Sequence, residues 1–534
     1  MENTLAQQIC KRYEAMESLR QPHVDTWRRC YKYSYPLRMH GFYNDTVTAE
    51  DGLDTLGALT DSTTTESVRV FAAHLIDGMT PSNALWFGID VGQESDDEKR
   101  WLSSSSRVIW ENIHNSNFDA VSFEAVIDEI CAGWFVMYID EAEEGGYHFE
   151  QWPISECFVA STRPGRPIDT IYRKFSLRAD QAINQYGEEN VSDKIREAIA
   201  QNKPHEKFEF IHAIYPRKNY VVGARLAKNL PFASCHIELT DKHLVRESGY
   251  HEFPCAVPRW MLIPATPYAV GPVYDALPDA ATINKVKELE LDNLDIAVGG
   301  MYVAVDDGVL NPRSIKIGSR RVIVANDVES IKELRSGADF NVAFISEDRI
   351  QSQIKKLLLA DVLPPLEQNQ PRTATELNIR MAYIRQMLGP IFGRLQSEYL
   401  QVLITRCFGI AYRAGVLGQA PQSLQNRTWH IKYKSPLARA QQLAESDAID
   451  QYGASLIMQA EIKPEALDNL DWDKANRYKA EALGVPAELI PDTKTVAKIR
   501  LQREQARQEL QQEQIGNQVL QTAGQEAAKR AVGG

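Results

Sequence analysis

The sequence predicts a mainly helical α+β protein whose central part leaves the body of the chain and returns to it. Apolar residues recur at helical spacing in several long segments, of which residues 3–35 are the first. Runs rich in β-branched and aromatic residues predict strands between residues 120 and 270. From Gly271 to Leu403, two helical patterns flank a turn-rich insert, and no catalytic motif interrupts them. Such an out-and-back excursion favours a ring or channel subunit over an enzyme.

The composition is that of a soluble globular protein with more than one core. A chain of 534 residues is too long for a single core, so we expect about two to four structural regions. Apolar residues make up 44% and charged residues 25%, which are ordinary values. The net charge of −13 disfavours a protein that wraps nucleic acid through basic patches. It suits a channel wall to which DNA does not stick, although a merely acidic soluble protein is the commoner explanation.

The cysteines and the N-terminus are typical of a cytoplasmic protein. Seven widely spaced cysteines without a CxxC pair indicate reduced thiols rather than a disulfide framework. Cys235-His236 with His251 and Cys255 fits no standard zinc spacing, so we predict no metal site and no cofactor. The start of the chain is polar and charged, and no apolar run reaches the roughly 20 residues of a membrane span. We therefore expect assembly in a cytoplasm and no membrane partner.

Three helices are predicted in the N-terminal part of the chain. The first covers residues 3–35, and the second covers residues 61–77. Thr63 and Glu66 are spaced as a capping box at the start of the second helix. The third helix covers residues 96–117.

The next part, up to residue 270, is predicted to combine strands with short helices. Apolar and aromatic runs bounded by turn residues predict the strands. Together with one strand before the third helix, they are 86–91, 134–139, 148–152, 168–175, 208–215 and 235–239. The short helices are 179–186 and 192–201.

The excursion begins with a helix that has little apolar surface. Pro278 and Asp279 predict its start, and Gly299-Gly300 predicts its end. About 20 residues at 1.5 Å each give a length of roughly 30 Å. Charged residues surround a thin apolar stripe, which favours lateral packing against identical neighbours with one face in water. Short strands are then predicted at 301–305, 314–317 and 321–325, in a sheet that neighbouring copies would complete.

The return begins with a second helix near Ser346. Its acidic residues come first and its lysines last, which is the favourable order for the helix dipole. A Pro-Pro pair and a polar loop follow, and Thr373 with Glu376 predicts a capping box for the next helix. Gly389 and Pro390 interrupt the apolar stripe of that helix and predict a kink.

The C-terminal part is predicted to be mostly helical. After a strand, three helices are predicted, and the four elements are 429–433, 436–459, 464–469 and 473–483. Residues 493–532 are rich in Gln, Glu and Ala with few apolar side chains, so they form either a surface helix or a disordered tail. Of these alternatives we favour a frayed helix.

The motifs of nucleotide-binding and hydrolytic enzymes are missing. The sequence contains no GxxxxGK[ST], GxSxG, GxGxxG or HExxH, and Cys255 follows His251-Glu252 where a second histidine would stand. The carboxylates are not grouped as in a nuclease. We therefore predict that the protein is not an enzyme.

Several short motifs occur in an order that identifies a family. They include the helix 64–77 followed by Met79-Thr80-Pro81, the segment 254–260 leading into 268–279, Arg372-Thr373-Ala374-Thr375-Glu376, Leu388-Gly389-Pro390, and Tyr433-Lys434-Ser435-Pro436-Leu437-Ala438-Arg439-Ala440-Gln441. Each motif is moderately specific, and their shared order is strongly specific. Over roughly residues 5–500, the chain resembles the portal (head-to-tail connector) proteins of short-tailed bacteriophages, the podoviruses.

The resemblance implies a portal-protein fold with wing, stem, clip and crown regions. The implied regions are the wing (1–272), the first stem helix (273–300), the clip with short strands (301–338), the second stem helix (339–360), the tunnel loop (361–373), the long kinked wing helix and its exit (374–429), the crown (430–500) and a helical barrel or partly disordered tail (501–534).

The resemblance also implies a function. Portal proteins form a ring, expected to be a dodecamer, at one vertex of the capsid in the virion, and they assemble in the host cytoplasm. The implied partners are the terminase large subunit, tail and adaptor proteins, major capsid and scaffolding proteins, and double-stranded DNA that passes without sequence recognition. Two alternatives stay open. A non-portal ring-forming adaptor or scaffold would lack a channel of DNA width, and a nucleotide-dependent enzyme, which is less favoured, would show turnover.

Candidate site residues follow from these regions and from charge. The tunnel-loop candidates for phosphate contacts are Gln368, Asn369, Gln370 and Arg372. Possible basic rings of the lumen are Lys285, Lys287, Lys355 and Lys356, although solvated helix faces explain these lysines equally well. The clip candidates for protein docking are Arg313, Lys316, Arg320 and Arg321. The structural junctions are Thr373, Glu376, Gly389 and Pro390.

Overall fold

A computed structural model gives the architecture of most of the chain. The residues it describes are 4–39, 41–42, 59–92, 95–163, 165–221, 226–299, 301–304, 331–334, 340–362, 389, 391–424, 430–433, 436–483, 485, 489–491, 493 and 495–508. They form two compact units. The first lies within residues 1–84 and 111–414, and the second within residues 85–110 and 415–534.

The described residues contain both helices and strands, and helices predominate. The α-helices are α1 (Leu5–Ser34), α2 (Thr63–Met79), α3 (Asp96–His114), α4 (Phe118–Ala132), α5 (Ala179–Tyr186), α6 (Asp193–Ala200), α7 (Pro272–Gly299), α8 (Phe340–Leu357), α9 (Gln401–Arg413), α10 (Pro436–Ala460) and α11 (Trp472–Leu483). The strands are β1 (Phe87–Asp90), β2 (Val136–Glu141), β3 (Tyr147–Trp152), β4 (Cys157–Ala160), β5 (Thr170–Arg178), β6 (Lys207–Pro216), β7 (Phe232–Glu238), β8 (His243–Tyr250), β9 (Cys255–Ala256), β10 (Met261–Leu262), β11 (Ala269–Val270), β12 (Met301–Ala304), β13 (Ile331–Leu334) and β14 (His430–Tyr433). The mainly helical α+β class predicted from the sequence is confirmed.

A five-stranded antiparallel sheet, in the order β4-β5-β6-β7-β8, forms the centre of the first unit. Successive side chains of a strand point to opposite faces, so β6 supplies two cores. Ile211 faces α1 and packs with Tyr13 and Phe158. Phe210 faces α5 and α6 and packs with Ala182 and Ile195. Both faces of the sheet are therefore covered by helices of the same chain.

A smaller sheet, in the order β3-β2-β9, packs beside α4. The sequence did not reveal α4 because residues 125–132 of this helix are buried on all sides, including Asp128 and Glu129. A helix without a polar face shows no amphipathic period. The short strand β4 and the edge strand β8 were also not predicted.

A carboxylate clamp holds α9 against the end of β8. Glu252 accepts two hydrogen bonds from Arg413, at 2.6 and 2.9 Å, and one from Arg406 at 3.2 Å. A Cβ atom at position 409 would lie 2.4 Å from the carboxylate of Glu252, so Gly409 lets the carboxylate approach the helix this closely. The arginine pair and the missing side chain together fix where the helix meets the sheet.

The predicted capping box at the start of α2 is wrong. Thr63 is the first residue of the helix, so its side chain cannot act as the N-cap. The acceptor is Asp61, whose Oδ1 atom binds the backbone N–H of Thr63 at 2.9 Å. A carboxylate at this place also suits the positive end of the helix dipole.

The two helices of the excursion begin earlier than their local signals predict. The first, α7, begins at Pro272, where a proline fits the first helical position, and Pro278 lies inside it. The second, α8, begins at Phe340, so Glu347 lies inside the helix rather than in its first turn. Strand β12 pairs with β13, which was not predicted, and the strands predicted at 314–317 and 321–325 lie outside the described residues.

The second unit joins distant parts of the chain through a two-stranded sheet of β1 and β14. The indole N–H of Trp101 donates to the carbonyl of Leu417 at 3.0 Å, and Arg100 donates to the carbonyl of Ile490 at 3.0 Å. Helices α10 and α11 pack on each other. The predicted strand at 429–433 and helix at 436–459 are present with nearly the same bounds.

Candidate functional site

The pair of helices α7 and α8 carries the four candidate lysines. The two helices pack against each other, and α8 also packs against α2. The N-terminal half of α7 is anchored in the first unit through its buried residues Val273, Ala276, Leu277, Ala280 and Ile283. Farther along, Leu289 and Leu291 are 49% and 53% exposed. The helix therefore changes from a core element to one with uncovered apolar side chains.

Lys287 forms an ion pair between the two helices. Its ammonium group contacts the carboxylate of Glu347 on α8 and lies 3.8 Å from Glu290 on its own helix. Burial alone would lower the pKa of Lys287, but the hydrogen bond and charge of Glu347 outweigh it, so the pKa is raised. Two carboxylates surround this one cation. Lys287 consequently has little positive charge to offer a passing phosphate.

The other three candidate lysines differ in how their charge is used. Lys285 lies 2.9 Å from Glu288 on the same exposed face, and this hydrogen bond raises the pKa of Lys285. Lys355 and Lys356 occupy the last turn of α8, where a cation interacts favourably with the helix dipole. Within the described part of the chain, neither has a carboxylate at ion-pairing distance. These two are the better candidates for binding an anion.

Asn284 ties α7 to the segment that precedes α2. Its side-chain oxygen accepts hydrogen bonds from the backbone N–H groups of Thr60, at 3.0 Å, and Asp61, at 3.2 Å. Its amide nitrogen donates to the carbonyl of Ala280 at 2.8 Å. The hydroxyl of Thr60 donates to the carbonyl of Asn284 at 2.8 Å.

Gln351 extends this contact to α8. Its amide donates to Asp61 at 3.0 Å and to Glu347 at 3.1 Å. Together Asp61, Asn284, Lys287, Glu347 and Gln351 form what we call the polar junction, which joins α2, α7 and α8. Glu347 is only 7% exposed, and its Oε2 atom has no hydrogen-bond partner in the described residues. A buried carboxylate in this state depends strongly on its one cation.

Sequence reasoning predicted Lys287 as a possible lumen residue and missed the rest of the polar junction. A signal was present. Asn284 follows Ala280 by four positions and therefore lies on the apolar side of α7. Glu347, Gln351 and Ile354 likewise share one side of α8. Polar side chains inside apolar stripes indicate a buried hydrogen-bond network.

Several predicted site residues lie outside the described residues. They are the loop candidates Gln368, Asn369, Gln370 and Arg372, the clip candidates Arg313, Lys316, Arg320 and Arg321, and the junction residues Thr373, Glu376 and Pro390. The kink predicted at Pro390 is among them. Gly389 is described, is exposed and has helical structure.

The described residues contain no group of three His, Cys, Asp or Glu side chains that could hold a metal ion. Of the loose Cys/His set, Cys235 belongs to the core beneath α1. His236 is hydrogen-bonded to the hydroxyl of Tyr186 at 2.8 Å and lies beside His212, with the ring centroids 4.0 Å apart and the rings tilted by 51°. Cys235 and His236 both lie on β7 and contact the helices that cover the five-stranded sheet.

Comparison with known proteins identifies relatives over nearly the whole chain. The family model of the bacteriophage head to tail connecting protein matches residues 6–490. The probable portal protein of Bordetella phage BPP-1 is 26% identical over 545 aligned residues, covering 98% of this chain and 95% of that protein. The portal protein of Salmonella phage epsilon15 is 27% identical over 508 residues, covering 90% and 88%.

Solved structures give a weaker likeness. The neck of an empty GTA particle, computed with C6 symmetry, aligns with a TM-score of 0.34 and 14% identity, covering 73% of this chain and 86% of that chain. A chain of the virion of a native gene transfer agent (GTA) particle aligns with a TM-score of 0.31 and 11% identity, covering 72% and 89%. Because these scores are low, the relationship rests on the sequence matches. No helix in the described ranges is both long and apolar enough to cross a membrane.

Proposed function

Because this chain belongs to the family of bacteriophage head-to-tail connecting proteins, we propose that it forms a ring at one capsid vertex through which DNA is packaged and ejected. The match over residues 6–490 carries this proposal, together with two portal proteins aligned over most of their own lengths. Members of the family are structural proteins of the virion. We expect a dodecamer, with the tail attached to the ring after packaging.

The uncovered leucines of α7 support an assembly of identical copies. Leu289 and Leu291 are large apolar side chains that alternate with charged residues in the part of α7 that follows its buried half. Single exposed apolar side chains are common on soluble proteins, and these two gain weight because the chain belongs to a family of head-to-tail connecting proteins. In a ring, the next copy would supply that cover.

A passive channel requires a wall that DNA does not bind tightly. The net charge of −13 gives general repulsion, and a few cations would balance it locally. We propose Lys355 and Lys356 as lumen cations ahead of Lys285 and Lys287, because carboxylates of the same chain already pair with the latter two. Gln368, Asn369, Gln370 and Arg372 would touch the phosphate backbone without reading sequence.

The proposed partners follow from the proposed position. The terminase large subunit would dock during packaging and supply the ATP hydrolysis, and tail or adaptor proteins would take its place. The clip residues Arg313, Lys316, Arg320 and Arg321 are proposed for this docking. Major capsid and scaffolding proteins would surround the ring as it assembles in the host cytoplasm.

End-on electron micrographs of the purified protein test the ring and channel directly. We expect a ring with a central opening wide enough for a DNA duplex. Particles without a through-channel would contradict the proposal and favour an adaptor or scaffold. ATP turnover by the purified protein would contradict the passive role.

A loop deletion tests the proposed lumen contact. Removal of residues 366–370 should leave rings intact but impair packaging or retention of the genome. A matched variant with five Gly or Ser residues in the same place separates loop length from side-chain chemistry. Normal filling and retention in the deletion variant would overturn the loop assignment.

A further inference from the structure

The two ends of the five-stranded sheet carry opposite charges. The antiparallel register places the β4–β5 and β6–β7 loops, residues 161–169 and 217–231, at one end, which we call the basic end. Residues 217–231 contain four Arg or Lys and no Asp or Glu, and the other loop adds Arg163 and Arg166 against one Asp. At the opposite end, which we call the acidic end, α5 and α6 join β5 to β6. There, residues 179–206 contain six Asp or Glu against three Arg or Lys.

The cations of the basic end are available to a partner. Arg163, Arg166 and Lys218 are exposed, and none of them forms an ion pair within the described residues. Lys228 is also exposed, and it lies 4.0 Å from a glutamate to which Arg217 is closer, at 3.0 Å. The basic end therefore keeps positive charge that its own chain does not neutralise.

Apolar side chains accompany these cations. Tyr220, Val221 and Leu226 are 50%, 59% and 71% exposed. The base of their loop is fixed, because the guanidinium of Arg217 donates to the carbonyl of Ala227 at 2.9 Å. Exposed aromatic and aliphatic side chains beside cations, on a loop with a fixed base, favour a contact with another protein surface.

The acidic end presents carboxylates without partners of their own. Four exposed glutamates form no ion pair in the part of the chain that the structure describes. They are Glu188, Glu189, Glu197 and Glu206. The imidazole of His243, at the start of β8, donates to the carbonyl of Asn190 at 3.0 Å, which holds the turn of the first two glutamates near this end. Two of the three cations in residues 179–206 already pair with aspartates of the same chain.

The distance between the two ends keeps their charges from cancelling within one copy. Strand β5 has nine residues, which at roughly 3.4 Å each span about 30 Å. That length exceeds the Debye length of about 8 Å at physiological ionic strength. The basic end of one copy therefore repels another basic end and attracts an acidic end. A head-to-tail contact of this kind closes into a ring when the rotation between copies allows it.

We propose that the basic end of one copy docks on the acidic end of the next copy. Residues 217–231 supply cations to the free glutamates of the neighbour, and Tyr220, Val221 and Leu226 become covered in the contact. Pairing of two like ends is disfavoured by charge, which makes the contact directional. This contact rests on the proposed ring and names two surfaces that would hold it together.

Charge reversal tests the contact through the protein concentration at which rings form, measured by mass photometry. Lys218→Glu/Lys228→Glu makes the basic end acidic, and Glu188→Lys/Glu189→Lys makes the acidic end basic. Each variant alone should need on the order of tenfold more protein to form rings, because like charges then face each other. An equimolar mixture should assemble like the unmodified protein, since the two variants can alternate around the ring. Recovery in the mixture also shows that both variants are folded.

The matched control is Lys11→Glu/Arg29→Glu, the same charge change at two exposed positions of α1. It should assemble like the unmodified protein. Equal ring-forming concentrations for the control and for Lys218→Glu/Lys228→Glu overturn the contact, as does a mixture that fails to recover. If the loop variant forms rings normally and loses only binding of duplex DNA, the basic end belongs to nucleic acid and the contact is likewise overturned. Absence of rings from the unmodified protein would contradict the proposed function itself, and the contact with it.

Discussion

The five-stranded sheet and helix α7 solve the problem of burial in different ways. The sheet is covered on both faces by α1, α5 and α6, so its apolar residues are buried within one chain. Helix α7 is buried at its N-terminal half and then exposes Leu289 and Leu291. The difference teaches that the sheet buries its apolar residues within one chain, whereas the excursion is joined to the rest of the first unit by the polar junction and leaves apolar side chains exposed. Four experiments, in order of expected effect, test this contrast.

Breaking the buried ion pair between Arg259 and Glu398 should have the largest effect on stability. In Arg259→Met the carboxylate of Glu398 stays buried without its cation, which should lower the free energy of unfolding by about 3–5 kcal/mol. Chemical denaturation monitored by tryptophan fluorescence measures it. The double variant Arg259→Met/Glu398→Met leaves no buried charge and should recover most of the loss. Equal losses in the single and double variants would show that packing, not charge, matters here.

The second largest effect is expected from acid, which should destabilise the five-stranded sheet. Burial lowers the pKa of His236 from its ordinary 6.5 to about 4, and the pKa of His212 is also lowered, by burial and by His236. The unfolded chain therefore binds more protons, so stability is full above about pH 6.5 and falls as the pH drops towards 4. For His236 alone the loss at pH 5 is about 2 kcal/mol. Thermal unfolding followed at pH values between 7.5 and 5 measures this loss of stability.

The control for this prediction is a variant that cannot titrate. His236→Gln should weaken the pH dependence of unfolding, and His205→Gln, at a site without a role in the sheet, should not. A pH profile unchanged by His236→Gln would place the acid sensitivity elsewhere.

Removal of one lysine should have a smaller effect, confined to the excursion. In Lys287→Met the carboxylate of Glu347 keeps the hydrogen bond from Gln351, and water can reach the place of the lysine, whose side chain is 27% exposed. We expect a loss of about 1–2 kcal/mol in the free energy of unfolding. Lys285→Met, two residues away and exposed, should cause no measurable loss. Similar losses in both variants would contradict the distinction between the polar junction and the surface pair.

The smallest effect on folding is expected for the exposed leucines. Leu289→Ser/Leu291→Ser should change the free energy of unfolding of one chain by no more than about 0.5 kcal/mol. It should nevertheless raise the protein concentration needed for ring formation, which mass photometry can measure. Leu19→Ser, at a side chain 62% exposed on α1, is the matched control and should leave assembly unchanged. Equal assembly in both variants would contradict the packing proposed for α7.

Sequence patterns predicted the helices and strands that have one buried face and one solvent-exposed face. The helix predicted at 3–35 is present as Leu5–Ser34, and the helix predicted at 179–186 has those bounds. Most strands of the central sheet were found from their apolar runs. Helix α4 was missed because its C-terminal half, residues 125–132, is buried on all sides, which removes the polar face that makes a period visible.

Partners across the fold could not be predicted, because they depend on tertiary approach. Nothing local in the sequence joins Lys287 to Glu347, which is sixty positions away. A π-helical turn at Gln396–Leu400 was also invisible, since contacts of Glu398 with Arg259 and of Tyr399 with Ser122 hold it rather than a proline or glycine. The kink predicted at Gly389 and Pro390 stays a prediction. Motif order, in contrast, was enough to identify the family.

The clamp around Glu252 has a consequence for how this sequence can evolve. A methyl group at position 409 would lie 2.4 Å from the carboxylate, so a larger residue there requires the side chain of Glu252 to move. Shortening Glu252 would make room but would leave Arg406 and Arg413 without their shared acceptor. Each single step therefore disturbs the hydrogen bonds of the clamp, whereas a combined change can replace them together. We expect positions 252, 406, 409 and 413 to vary together, as an epistatic unit.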